Sequence, residues 1–148
     1  MIEVILKKIE IKNFKNIGYY VHDFSKRDVI QGAFGSGKLN IFEAYKWALC
    51  CSNTSIEPII DGKTIPNIDT EVTVTLDINN RESVCYRKSG RHNNNKIVNE
   101  YGFCGIPYST EKSYKNVIAS VMGVNIEILL LLLDIKNFTT KTTQWTWD

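Results

Sequence analysis

Apolar and polar positions alternate near the start of the chain. In residues 5–14, Ile-Leu-Lys-Lys-Ile-Glu-Ile-Lys-Asn-Phe, Ile9 and Ile11 are separated by Lys8, Glu10 and Lys12, the period of a strand with one buried face. Turn formers occupy 13–18, and residues 18–24 predict a second strand ending on an aromatic. Asp28-Val29-Ile30 is short and more fully apolar, as suits a central strand covered on both faces. Glycine then dominates residues 32–38. From Leu39 the period changes: Ile41, Phe42, Ala44, Tyr45, Ala48 and Leu49 follow helical spacing, leaving Glu43 and Lys46 for exposed positions. Cys50-Cys51-Ser52-Asn53 closes that helix, and residues 52–70, with Pro58, Pro66 and Gly62, predict loop with a short edge hairpin at Asp61-Gly62.

Residues 70–79 alternate cleanly, with Val72, Val74, Leu76 and Ile78 on one side and Thr73, Thr75 and Asp77 on the other. Asn79-Asn80 predicts a hairpin turn, 83–88 its return strand, 90–95 a polar mobile loop and 96–101 a further short strand. Ser109-Thr110-Glu111 predicts the cap of a helix running to Met122 and stopped by Gly123, with a second short helix over 124–133. Three strands, a glycine-rich loop, a helix, a hairpin sheet and helices together predict an α/β core with an antiparallel lobe.

Composition narrows this only slightly. A chain of 148 residues, 43% hydrophobic and 23% charged, is an ordinary globular domain. A net charge of +2 lends nucleic-acid binding no support, and Arg87, Lys88, Arg91 and Lys96 are expected at a solvated hairpin tip. Cys50, Cys51, Cys85 and Cys104 form no Cys-x-x-Cys pair, and His22 and His92 add no ligand spacing, so reduced thiols are expected rather than a structural zinc. Met1-Ile2-Glu3 leads straight into strand pattern, so no leader and a cytoplasmic location are expected. The apolar run 128–133 is far shorter than the roughly 20 residues of a membrane span and is expected to be buried in the fold or an interface. Trp145 and Trp147 are expected to cover the core or to anchor a partner.

The chemistry sits at residues 32–38, Gly-Ala-Phe-Gly-Ser-Gly-Lys. The phosphate-loop pattern is Gly, four residues, Gly-Lys and then Ser or Thr; Gly32, Gly37 and Lys38 match it, and Leu39 takes the last position. Glycines let successive backbone N–H groups converge on an anion, the following helix adds the positive end of its dipole, and Lys38 would reach the β- and γ-phosphates. Leu39 replaces the hydroxyl that ligates Mg²⁺, so metal binding and hydrolysis are both expected to suffer.

Two segments resemble the SMC, RecF and SbcC-type ATPases. Ile9-Glu10-Ile11-Lys12-Asn13-Phe14-Lys15-Asn16-Ile17 is similar to their opening strand. Gly35-Ser36-Gly37-Lys38-Leu39-Asn40-Ile41-Phe42-Glu43-Ala44 is similar to their Gly-Ser-Gly-Lys-Ser-Asn-Ile-x-Glu-Ala. The resemblance implies the N-terminal lobe of an ABC-type ATPase of the DNA-repair and DNA-processing kind. Its fold would be α/β, a P-loop NTPase-like half domain with a mixed sheet, an antiparallel hairpin lobe and flanking helices. It implies one partial lobe over 1–148, without coiled coil, C-terminal lobe, signature motif or Walker B strand. The implied ATP site comprises Gly32, Phe34, Gly35, Ser36, Gly37, Lys38, Leu39 and Asn40, with Lys15 standing where the family has a nucleotide-proximal arginine. Such a lobe should not hydrolyse ATP alone. It would need a protein partner or a second copy, would meet nucleic acid only through a complex, and would touch no membrane. The alternative is a non-catalytic inhibitor from a phage or mobile element, anti-CRISPR-like, built on a repurposed lobe.

Overall fold

A computed structural model describes residues 2–15, 17–23, 37–51, 59–60, 63–64, 69–92, 96–123 and 144–147. In chain order these form β1 (Ile2–Phe14), β2 (Ile17–Asp23), α1 (Gly37–Cys50), β3 (Ile59–Ile60), β4 (Lys63–Thr64), β5 (Thr70–Ile78), β6 (Arg81–His92), β7 (Lys96–Phe103), β8 (Ile106–Tyr108), α2 (Glu111–Met122) and β9 (Gln144–Trp147). One seven-stranded sheet runs β2-β1-β5-β6-β7-β8, with β9 pairing the start of β1 on the same side as β2; β3 and β4 make a separate hairpin.

The mixed α/β sheet expected from the sequence does not form. Among the described residues every strand pairing is antiparallel. The cause lies in the connections. β1–β2, β5–β6, β6–β7 and β7–β8 are joined by only two or three residues, enough to return a strand antiparallel, whereas a parallel pair needs a crossover of about a dozen residues or more. Asn79 and Asn80, with φ of 50° and 67°, make the turn between β5 and β6 in the left-handed conformation that asparagine tolerates best. The expected strand at 28–30, the loop 32–36 and the helix at 124–133 lie outside the described residues.

β1 reaches the core by breaking its own period twice. Leu6, Ile9 and Ile11 are all fully buried, a spacing that strict alternation cannot produce. A register shift between Leu6 and Lys8 resolves it: the extra residue, Lys7, is a bulge that puts Ile9 on the same face as Leu6. Asn13, at φ 55°, shifts the phase again and turns Phe14 inward. That turn is tied to the start of β5, where Asn13 Nδ2 donates to the Asp69 carbonyl at 3.2 Å and Thr70 Oγ1 donates to the Asn13 carbonyl at 2.7 Å.

The two faces of the sheet differ sharply. Val72, Val74, Leu76, Ile78 and Cys85 point inward and are covered by α1 over β1, β5 and β6, with α2 over β7 and β8. On the outer face the cross-strand order Lys12–Glu71–Lys88–Glu100 alternates in charge over four strands, the pattern of a solvated surface. α2 follows its sequence signals closely: Thr110 Oγ1 accepts from the Ser113 N–H at 3.1 Å, and Gly123, at φ 74°, ends the helix by donating to the Ala119 carbonyl. Among the described residues no helix is long and apolar enough to cross a membrane.

Candidate functional site

α1 carries the predicted phosphate-binding residues at one end and the most tightly built part of the core at the other. Its buried side presents Ile41, Phe42, Ala44, Tyr45, Trp47, Ala48 and Leu49 to the sheet, while Glu43 and Lys46 pair at 3.4 Å on the wetter side. The helix stops at Cys50, and Cys51 leaves it with a left-handed φ of 55°.

The last turn leaves carbonyls without helical partners, and α1 has no basic residue of its own there. Two side chains from far along the sequence supply the donors. Arg87 of β6 donates from Nη1 to the Trp47 carbonyl at 3.2 Å, and the Tyr114 hydroxyl of α2 donates to the Ala48 carbonyl at 2.7 Å. The guanidinium stacks 4.3 Å from the Trp47 ring and 5.6 Å from the Tyr101 ring, at the negative end of the helix dipole. Tyr114 lies 5.2 Å from Tyr101 and 6.5 Å from Tyr108, ring to ring. Arg87 is therefore not part of a solvated hairpin tip as expected. The signal that locates it is parity, since it falls in step with the inward-facing Ser83, Cys85 and Ser89. Lys88, one residue on, faces outward and pairs with Asp69 at 3.7 Å.

Burial dominates the ionisable groups around this end. It pushes the Cys50 thiol up to about 12, reinforced by the neighbouring Cys51, and pushes Cys51 up to about 11 despite the opposing charge of Arg87. Cys85 and the hydroxyls of Tyr45 and Tyr114 are raised by the same desolvation. These buried thiols remain protonated at neutral pH, which makes them poor nucleophiles and poor metal ligands. Among the described residues no group of His, Cys, Asp and Glu is arranged to hold a metal ion.

At the other end, Gly37, Lys38, Leu39 and Asn40 form the first turn of α1, which has no acidic residue. Gly32, Phe34, Gly35 and Ser36 lie outside the described residues. Lys15 lies in the turn that follows β1. Its Nζ sits 5.8 Å from the Phe14 ring centroid, and that ring lies 5.9 Å from Trp47, ten residues and about 15 Å of helix beyond Gly37. Through Phe14 this turn packs beside the last third of α1. The outer face holds a separate open depression of about 330 Å³ lined by Lys7, Lys8, Asp23, Thr75, Asp77 and Glu82. Three carboxylates against two ammonium groups make it a poor receptor for phosphate. Trp145 and Trp147 lie in β9, in register with Val4 and Ile2.

No protein-family model matches this sequence, and a search of curated proteins finds no match to it.

Proposed function

We propose that this chain binds the phosphates of a nucleotide at the N-terminus of α1 and does not hydrolyse it unaided, acting as an SMC/RecF-like nucleotide-binding lobe. The observation that carries the reading is where α1 begins. The helix starts on Gly37, at the end of a Gly-Ala-Phe-Gly-Ser-Gly run, with Lys38 in its first turn and no carboxylate there to repel an anion. A helix N-terminus offers unpaired N–H groups and about half a positive charge. The reading takes ATP as the ligand, with Leu39 disfavouring Mg²⁺. It places the protein in the cytoplasm and assigns the remaining catalytic groups to a protein partner, since these 148 residues hold no apolar strand ending in Asp-Glu.

Titration of ATP and a non-hydrolysable analogue with and without Mg²⁺ tests this directly. Wild type should bind with little metal dependence, Lys38→Ala should bind at least about tenfold more weakly, and Leu39→Ser should gain metal dependence. Equal affinity in wild type and Lys38→Ala would remove the site. Leu39 also favours a second reading, a non-catalytic inhibitor that uses the lobe as a binding scaffold. Partner binding that survives Lys38→Ala without any nucleotide affinity would select it.

A further inference from the structure

β2 flanks β1 along residues 17–23, and among the described residues no strand pairs with its second edge. Edge strands are normally blunted with lysine or proline, because a row of unpaired N–H and C=O groups invites another strand. β2, Ile-Gly-Tyr-Tyr-Val-His-Asp, has neither. It presents Tyr19, 65% exposed, and Val21, 39% exposed, on the outer face of the sheet.

The strand is also complementary to itself. With a second copy laid antiparallel so that Tyr20 meets Tyr20 on a two-fold axis, all seven residues pair. Tyr19 then faces Val21 of the second copy, twice, and the two most exposed apolar side chains of the strand cover each other. Gly18 faces His22; nothing lies within 4 Å of the space a side chain would take at Gly18, so the imidazole of the second copy has room. Asp23 faces Ile17 at each end of the seam. A slip of one residue would set the outer face of one sheet level with the inner face of the other and lose every one of these matches. The net charge of +2 adds little repulsion.

We propose that two copies of this chain join edge to edge through β2, antiparallel about Tyr20, extending the seven-stranded sheet across the dimer. One strand per side is a small interface, below about 1,200 Å², so the dissociation constant should be on the order of 100 μM.

Sedimentation velocity on the full chain, from about tenfold below to tenfold above that concentration, reads the monomer–dimer transition. Val21→Lys, at an exposed position that folding tolerates, puts an ammonium on the seam and should weaken association at least about tenfold. The register is read in a Cys104→Ser background. There, Tyr19→Cys mixed with Val21→Cys should form a disulfide-linked dimer faster than either variant alone. A wild-type mass that stays monomeric throughout overturns the proposal and leaves the edge to residues 24–36 of the same chain or to another protein. Undiminished dimerisation of Val21→Lys, or no preference for the mixed cysteine pair, overturns it equally.

Discussion

At its C-terminal end α1 is held by side chains that arrive from β1, β6 and α2; at its N-terminal end it begins on glycine and lysine, next to a run of glycines. Arg87 and Tyr114 satisfy the carbonyls of Trp47 and Ala48 from 40 and 66 residues away, so that end exists only when the whole fold exists. The first turn contains no acidic group. On the proposed function, stability and ligand binding would therefore be separated along one helix. A substitution at one end should leave the other end's property almost untouched.

The most damaging test is Trp47→Ala. Trp47 is 2% exposed, meets the Phe14 ring at a tilt and carries the Arg87 guanidinium, so its removal opens a cavity and unseats the cation at once. Chemical denaturation should register a loss of about 3–5 kcal/mol. A loss under about 1 kcal/mol would mean that this end is not where the fold is held. Tyr114→Phe is a narrower cut through the same feature. It keeps the rings that pack on Tyr101 and Tyr108 but leaves the Ala48 carbonyl without its donor, for an expected loss of about 1–2 kcal/mol.

The same end should impose an alkaline limit. Cys50 and Cys51 have folded-state values near 12 and 11, against an ordinary 9.0 in the unfolded chain. The folded state thus holds these protons more tightly. Their contribution is fully present below about pH 9 and is lost as pH rises from 9 towards 11 to 12. Urea midpoints should be level from pH 7 to 8.5 and fall at pH 10, and replacing both cysteines with alanine should flatten that fall. An unchanged slope in the double variant would show that other groups, such as the buried tyrosines, set the limit.

Much of the fold is legible in the sequence, and each misreading has its own physical cause. The β5–β6 hairpin follows from unbroken alternation and Asn79-Asn80, and α2 follows from Thr110 and Gly123, because each is a local feature with a local signal. The mixed sheet was an expectation drawn largely from resemblance and the glycine loop. The strands' own alternation, apolar inside and polar outside, already matches an antiparallel sheet with one wet face. β1 is harder: Leu6 and Ile9 share a face only through the bulge at Lys7, and Phe14 turns inward only through the left-handed Asn13, neither of which periodicity announces. Arg87 is misread because of its sequence neighbours. Its neighbours Lys88 and Arg91 suggest a solvated cluster, yet its parity puts it beneath α1, and only tertiary packing reveals that a cation fits there. For the candidate site, sequence supplies residue identity, and the structure adds that α1 begins at Gly37.

Lys38→Ala should have the smallest effect on the fold and the clearest one on the ligand. Alanine is the best helix former, and Lys38 lies in the first turn, away from every contact that holds the C-terminal end, so stability should stay within about 0.5 kcal/mol of wild type. Removing a cation from the positive end of the dipole could even stabilise the helix slightly. Saturating nucleotide should raise the melting temperature of wild type, since a ligand at about 100 times its dissociation constant contributes about 2.7 kcal/mol. In Lys38→Ala that rise should shrink by the energy of the lost phosphate contact, while Trp47→Ala, if it stays folded at low temperature, should keep it. If Lys38→Ala instead unfolds the chain, or if Trp47→Ala abolishes nucleotide binding in a folded protein, the two ends of α1 are coupled and the separation between stability and binding fails.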